Sequence, residues 1–163
     1  MDKKSLEALL TSVLVPHGFR KKGSAWYRES QGVVQGIDLQ RSAYGGQFFV
    51  NLCFVPKGFV VEGMPTPKEH KCPIRIRLTS AMPERRKDID ALFDLEQPHL
   101  SDSQRTLGIQ NVISRLLIDF VDSVQSNDDL KIAIEANAFS LGAVNLAARK
   151  HLEIGAEPSP ANR

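Results

Sequence analysis

Val33-Val34-Gln35-Gly36-Ile37-Asp38-Leu39-Gln40-Arg41-Ser42, then Ala43-Tyr44-Gly45-Gly46, then Gln47-Phe48-Phe49-Val50-Asn51-Leu52-Cys53-Phe54-Val55 is the stretch whose reading decides the fold. Two runs that alternate in side-chain character flank a glycine-bearing loop, which is the pattern of an antiparallel hairpin. With Ser42 set opposite Gln47, Ile37 faces Leu52 and Leu39 faces Val50, and Phe48 and Phe54 join them on one side. Asp38 then faces Asn51, and Gln40 faces Phe49, on the other side. A slip of one residue would bury the polar set, so the apolar alternation itself selects this register.

Working outward, Ser5 to Leu14 carries Leu6, Leu9, Leu10, Val13 and Leu14 at the spacing of a one-sided helix, which Pro16 and Gly18 end. Arg20-Lys21-Lys22 reads as a solvated turn and Trp26-Tyr27-Arg28 as a short strand. Lys57 to Pro73 holds Gly58, Gly63, Pro65, Pro67 and Pro73, too many breakers for an element, so a long loop is expected. Ile74-Arg75-Ile76-Arg77-Leu78 alternates as a third long strand, with Arg75 and Arg77 facing away from the core. Asp88 to Phe93 is compatible with a short strand or a helical turn.

Ser101-Asp102-Ser103 offers a cap for a helix of about 20 residues, long enough at ~1.5 Å per residue to cross a whole sheet. Ile109, Val112, Ile113, Leu116, Leu117, Phe120, Val121 and Val124 form its apolar stripe. Asn127-Asp128-Asp129 caps a second helix through Ala136, and Ser140 to Leu152 makes a third. The expected architecture is α+β: an N-terminal helix, a mainly antiparallel sheet, and C-terminal helices packed on one sheet face. A single domain is expected over residues 1–154, with a flexible C-terminal tail over 155–163.

Composition narrows the function classes. The chain has 163 residues, 42% hydrophobic and 25% charged, enough to bury a core without metal or disulfide support. No apolar run approaches the roughly 18 residues of a membrane helix. Two cysteines, Cys53 and Cys72, make no disulfide framework and match no zinc spacing, so the default compartment is the cytoplasm. The net charge of +2 conceals an asymmetry: residues 1–90 hold 15 Lys and Arg against 9 Asp and Glu, and residues 91–163 hold 6 against 10.

Phosphate-binding loops, dinucleotide glycine fingerprints, His-Glu-x-x-His and Gly-x-Ser-x-Gly are all missing. No cofactor or metal is expected; His70, Cys72, Cys53 and His99 are scattered residues rather than a ligand set. Cys53, between Leu52 and Phe54, reads as a small strand residue rather than a thiolate nucleophile. The basic and aromatic residues from Arg20 to Arg28 fit nucleic-acid binding less well than an ordinary strand and turn. The polar row Asp38, Gln40 and Asn51 is the chemistry-bearing feature. If the face is open, these residues are simply solvated; if it is closed over, with Asp38 buried, they suit a small ligand or an enzyme. A second carboxylate close in sequence is lacking, so a binding role is expected ahead of catalysis.

The signature Leu14-x-Pro16-x-Gly18-Phe19-x-Lys21-Lys22-Gly23, Trp26-Tyr27-Arg28, Leu39-Gln40-x-Ser42-x-Tyr44 and Phe49-x-Asn51-Leu52 resembles a bacterial family, domain of unknown function 4304. The fit runs from residue 6 to about residue 55. An aromatic pair expected before the long helix is replaced by the segment from Gln104 to Gly108. The resemblance implies no reaction and no catalytic residue; it implies a small free-standing protein, and such proteins often look like immunity proteins that neutralise a toxin. On that analogy the expected partner is a protein, possibly a toxin domain, occluded by one face of the molecule. Tyr44, Phe49, Arg75 and Arg77 are the expected anchors on the sheet side. Asp119, Asp122, Asp128 and Asp129 form a competing acidic surface.

Overall fold

The structure, a computed structural model, describes residues 1–155; residues 156–163, nearly all of the expected tail, lie outside the described residues. The first helix, α1 (Lys3–Leu14), is capped by Asp2, whose carboxylate accepts from the Ser5 amide, and it buries Leu6, Leu10 and Leu14. Six antiparallel strands follow in sheet order β1 to β6: β1 (Arg20–Lys22), β2 (Ala25–Ser30), β3 (Val33–Arg41), β4 (Phe48–Val55), β5 (Ile74–Arg77) and β6 (Ala143–Val144). The β3–β4 register is the expected one, with Ile37 opposite Leu52, Leu39 opposite Val50, Asp38 opposite Asn51 and Gln40 opposite Phe49. The Ser42 amide closes the hairpin on the Gln47 carbonyl at 2.8 Å.

The α-helices of the described residues pack on the inner face. Trp26, Ile37, Leu52, Phe54, Ile74 and Ile76 of the sheet share one core with Leu10, Phe93, Ile113, Leu117, Leu130 and Leu152. Between β5 and the long helix lie α2 (Leu78–Ala81) and α3 (Arg86–Phe93). Residues 102–122 then run as α4 (Asp102–Asn111), a π turn (Val112–Leu117) and α5 (Ile118–Asp122). Ser101 and Gln104 form a reciprocal capping box at its start. The widened turn inserts extra residues into the 3.6-residue repeat, which brings Ile118 into the buried stripe. Last come α6 (Asn127–Glu135), capped by Ser126, and α7 (Leu146–His151).

Three expectations are corrected. Arg20-Lys21-Lys22 is an exposed edge strand, not a turn, and charged side chains there discourage further strand pairing. The strand at Ile74 is short, because Leu78 already starts α2. The third C-terminal helix does not run from Ser140 to Leu152. Ala143 and Val144 instead pair with Arg75 and Ile74 on the open edge of β5. Gly142 permits this approach: a Cβ there would lie 2.5 Å from the Arg75 carbonyl oxygen. Asn145 then caps the short α7 by accepting from the Ala148 amide at 2.7 Å.

Two buried polar side chains lock helices to their neighbours. Gln35 points into the core and donates to the carbonyls of Val121 and Val124 at 2.7 and 2.8 Å, holding the end of the long helix against β3. Its oxygen accepts from Arg28 Nε at 2.6 Å, and Arg28 also pairs with Asp122 and lies over the Phe19 ring. Arg105, 2% exposed, donates to the carbonyls of Leu92, Asp94 and Gln97 at 2.7, 2.6 and 3.1 Å, where the end of α3 carries partial negative charge. Substituting Arg105→Met should cost about 3 kcal/mol or more, because buried carbonyls lose charged donors. Urea denaturation measures it, and a change under ~0.5 kcal/mol would deny Arg105 this role.

Candidate functional site

The outer sheet face carries the candidate site, and the loop between β4 and β5 makes it a cleft rather than an open surface. Val34, Cys53, Val55 and Cys72 form a second apolar cluster on this face, with Tyr27, Phe59 and Val61 packed against it. The loop is tied down along its length. The Tyr27 hydroxyl donates to the Pro67 carbonyl at 2.8 Å and Lys22 Nζ to Thr66 Oγ1 at 2.7 Å. Tyr27 lies close over the sheet because residue 36 is glycine; a Cβ there would meet its ring at 3.0 Å.

Cys53 and Cys72 are joined in a disulfide, with their Cα atoms 5.8 Å apart, which corrects the expectation of two unpaired cysteines. The register places Cys53 on the outer face, and the loop brings Cys72 back over it; their separation in sequence contains no sign of this. With both sulfurs spent on each other, neither is a metal ligand or nucleophile in this form. Among the described residues no group of three or more His, Cys, Asp or Glu could hold a metal ion.

Asp38, Gln40 and Asn51 all line the resulting half-open cleft of about 740 Å³, with Asn51 buried, Asp38 half-buried and Gln40 exposed. Asn51, 6% exposed, donates from Nδ2 to Gln40 Oε1 at 2.9 Å and accepts from Arg77 Nε at 3.4 Å. The Arg77 guanidinium stacks 4.0 Å over the Phe49 ring, so two expected anchors are already engaged with each other. Asp38 is half-buried and accepts from the Ser24 hydroxyl at 3.3 Å. Burial pushes its carboxyl above the ordinary value of 3.8, against the smaller opposing pull of Ser24. Tyr27 is raised too, first by burial and then by the Asp38 charge.

The loop contributes rim residues that were not recognised in the sequence. Glu62, Lys68, Glu69, His70 and Lys71 face the cleft, and Lys22 and Ser24 complete it from the β1–β2 side. Glu62 pairs with Lys71 at 3.2 Å, and Glu69 approaches Arg75 at 3.9 Å. Carboxylates missing near Asp38 in sequence are thus supplied across space, though both already face cations. They come to the cleft because the disulfide and the bonds from Tyr27 and Lys22 fold residues 56–73 over the outer face.

The other expected residues are dispersed. Tyr44 stands at the hairpin tip, 88% exposed. Asp122 is committed to Arg28, and Asp129 to the Ser126 capping box, whose hydrogen bonds hold its carboxyl below the ordinary value. Asp119 and Asp128 remain exposed, so the acidic surface is thinner than its sequence suggests. Trp26 is wholly buried, with its Nε1 donating to Thr11 Oγ1 at 3.1 Å, and offers no stacking platform for a base. No helix among the described residues is long and apolar enough to cross a membrane.

A family profile described as domain of unknown function (DUF4304) matches residues 10–123. No curated protein and no solved structure matches the chain.

Cys72→Ser should destabilise the oxidised protein by about 3 kcal/mol through released loop entropy. Proteolysis should then cut between residues 57 and 71 first; unchanged stability and cleavage would mean that the disulfide does not hold the loop. For Asp38, a folded-state pKa above the unfolded one means that the folded state binds the proton more tightly. Its ionisation therefore costs stability as pH rises through that interval, and the full cost persists at neutral pH. Asp38→Asn should raise Tm at pH 7, and the advantage should shrink as pH falls towards ~3.9. An advantage independent of pH would contradict the desolvation of Asp38.

Proposed function

The chain belongs to the DUF4304 family, and because that membership brings no reaction with it, we propose from the geometry that the protein binds a small polar molecule in the cleft above Asp38, Gln40 and Asn51. The observation that carries this is the half-desolvated Asp38 carboxylate on the floor of a walled cleft. A carboxylate held there at a cost is satisfied by an ammonium or a strong N–H donor, which returns the lost solvation. On the rim, Lys68 and His70 have no ion-pair partner among the described residues, and they would receive an anionic group on the same ligand. Together these favour a zwitterionic, amino-acid-like molecule. Asp38 positions the ammonium end, the Gln40–Asn51–Arg77 chain keeps the floor rigid, and the loop excludes water.

We keep the cytoplasm as the proposed location. There the thiol form of Cys53 and Cys72 would predominate, and Tyr27, Lys22 and the apolar cluster would hold the loop.

A second reading, a protein-binding module that occludes a toxin domain as an immunity protein does, is favoured by Tyr44. A tyrosine 88% exposed at a hairpin tip is a ready anchor for a partner.

Titration calorimetry with the free amino acids and small alkylamines separates the two. Saturable binding that Asp38→Asn weakens tenfold or more, about 1.4 kcal/mol, with Tyr44→Ala unaffected, is expected. No binding by the folded protein across that panel would overturn the ligand reading. Capture of one stoichiometric protein partner, lost in Tyr44→Ala, would establish the second reading in its place.

A further inference from the structure

The Cys53–Cys72 disulfide stands apart from the main core. Cys53 lies within β4 and Cys72 stands two residues before β5, with their Cα atoms 5.8 Å apart. Both belong to the small outer cluster with Val34 and Val55, not to the core that the sheet shares with the helices. The 163 residues hold no third cysteine to compete for either sulfur. Breaking the bond therefore spares the main core and the β4–β5 ladder; what loses a tether is the loop between the two cysteines.

The start of that loop is fixed without the disulfide. The Lys57 amide donates to Asn127 Oδ1 at 2.8 Å, and Asn127 Nδ2 donates to the Lys57 carbonyl at 3.1 Å. Phe59 packs edge-on against the His151 ring and touches both apolar clusters. From Val60 to Lys71, by contrast, Pro67 is the only buried residue. The Thr66 amide donates to the Gly63 carbonyl and the Lys71 amide to the Lys68 carbonyl, both turns internal to the segment. Val61, the side-chain bonds from Tyr27 and Lys22, the 3.9 Å approach of Glu69 to Arg75 and the disulfide hold it on the sheet. A segment with so little buried surface opens readily once its covalent tie is cut.

Glu62, Thr66, Lys68, Glu69 and His70 of the same segment wall the Asp38 cleft. We infer that the Cys53–Cys72 pair is a redox switch on that cleft: the disulfide holds the wall closed, and the dithiol form lets residues 60–71 lift away. In a reducing compartment, two thiols at bonding distance serve as a sensor more often than as a staple. The exchange requires a dithiol reductant. One of its thiolates attacks a protein sulfur, the S–S bond breaks, and its second thiol then displaces the captured cysteine. Two electrons and two protons pass to the protein, which ends as two thiols, and the reductant leaves as a cyclic disulfide. Cys53 and Cys72 are 2% and 5% exposed, so attack waits on opening of the loop. The closed wall thus protects its own bond. Closure of the cleft follows from the loop alone, whereas its control over binding rests on a ligand at Asp38.

The test compares the whole protein oxidised and after reduction with dithiothreitol and desalting under nitrogen. Trypsin should cut after Lys68 and Lys71 about tenfold faster in the reduced protein, while amide exchange in β3 and β4 stays equally slow. Reoxidation with oxidised glutathione should restore the slow cleavage. Cys53→Ala combined with Cys72→Ala should be cut like the reduced protein and ignore dithiothreitol; should it fail to fold, the reversible wild-type comparison decides alone. Equal cleavage of the two forms overturns the switch, as does faster exchange that spreads through β3 and β4. Calorimetry with the free amino acids and small alkylamines then separates the switch from the ligand reading. Each compound that binds the oxidised protein should bind the reduced form about fivefold more weakly, and equal affinities overturn the control of binding. Binding to neither form overturns the ligand reading, and the cleavage result then decides the switch by itself.

Discussion

The pairing of β3 with β4 is the constraint from which the rest of the outer face follows. Ile37, Leu39, Val50, Leu52 and Phe54 must all face the helices, and an antiparallel pair with a period of two leaves one way to do this. That choice consigns Asp38, Gln40, Asn51 and Cys53 to the other side. Their placement is a consequence of burying their neighbours. Gln35 is the instructive exception: it occupies an inward position, and the cost of burying its amide is offset by the two carbonyls at the end of the long helix.

The outer face becomes a cleft because the loop from 56 to 73 lies over part of it. The described α-helices pack on the inner face, so without the loop Asp38 would stand in water and Val34, Cys53 and Val55 would form an exposed apolar patch. Burying that patch draws the loop down, and the disulfide and the bonds from Tyr27 and Lys22 fix its path. The same path leaves a cavity above Asp38, where the loop arches over the polar half of the face. One folding event therefore shields an apolar patch and desolvates a carboxylate. Stability and candidate function are coupled through it.

Much of the fold was legible in the sequence because it rests on periodicity. The hairpin register, α1, the Ser101 cap and the apolar stripe of the long helix all follow from residue spacing. What was not legible depends on tertiary partners. Ala143-Val144 has no strand signal of its own and becomes β6 because β5 offers an open edge. Arg105 looks like a surface residue of an amphipathic helix until the end of α3 supplies carbonyls for it. The candidate site was half legible. Asp38, Gln40 and Asn51 came from the register, whereas Glu62, Lys68, Glu69 and His70 lie in a loop too rich in Gly and Pro to have a readable path. The pairing of Cys53 with Cys72 that fixes this path is visible only in space.

If the loop roofs the sheet face, the Asp38 carboxylate is desolvated, and a carbon-detected NMR titration of that side chain reads its protonation. The midpoint should lie clearly above the ordinary aspartate value of 3.8 in the folded protein and return to it in urea. A midpoint at or below 3.8 in the folded protein would mean that water reaches Asp38 freely and that the loop does not form the cleft described.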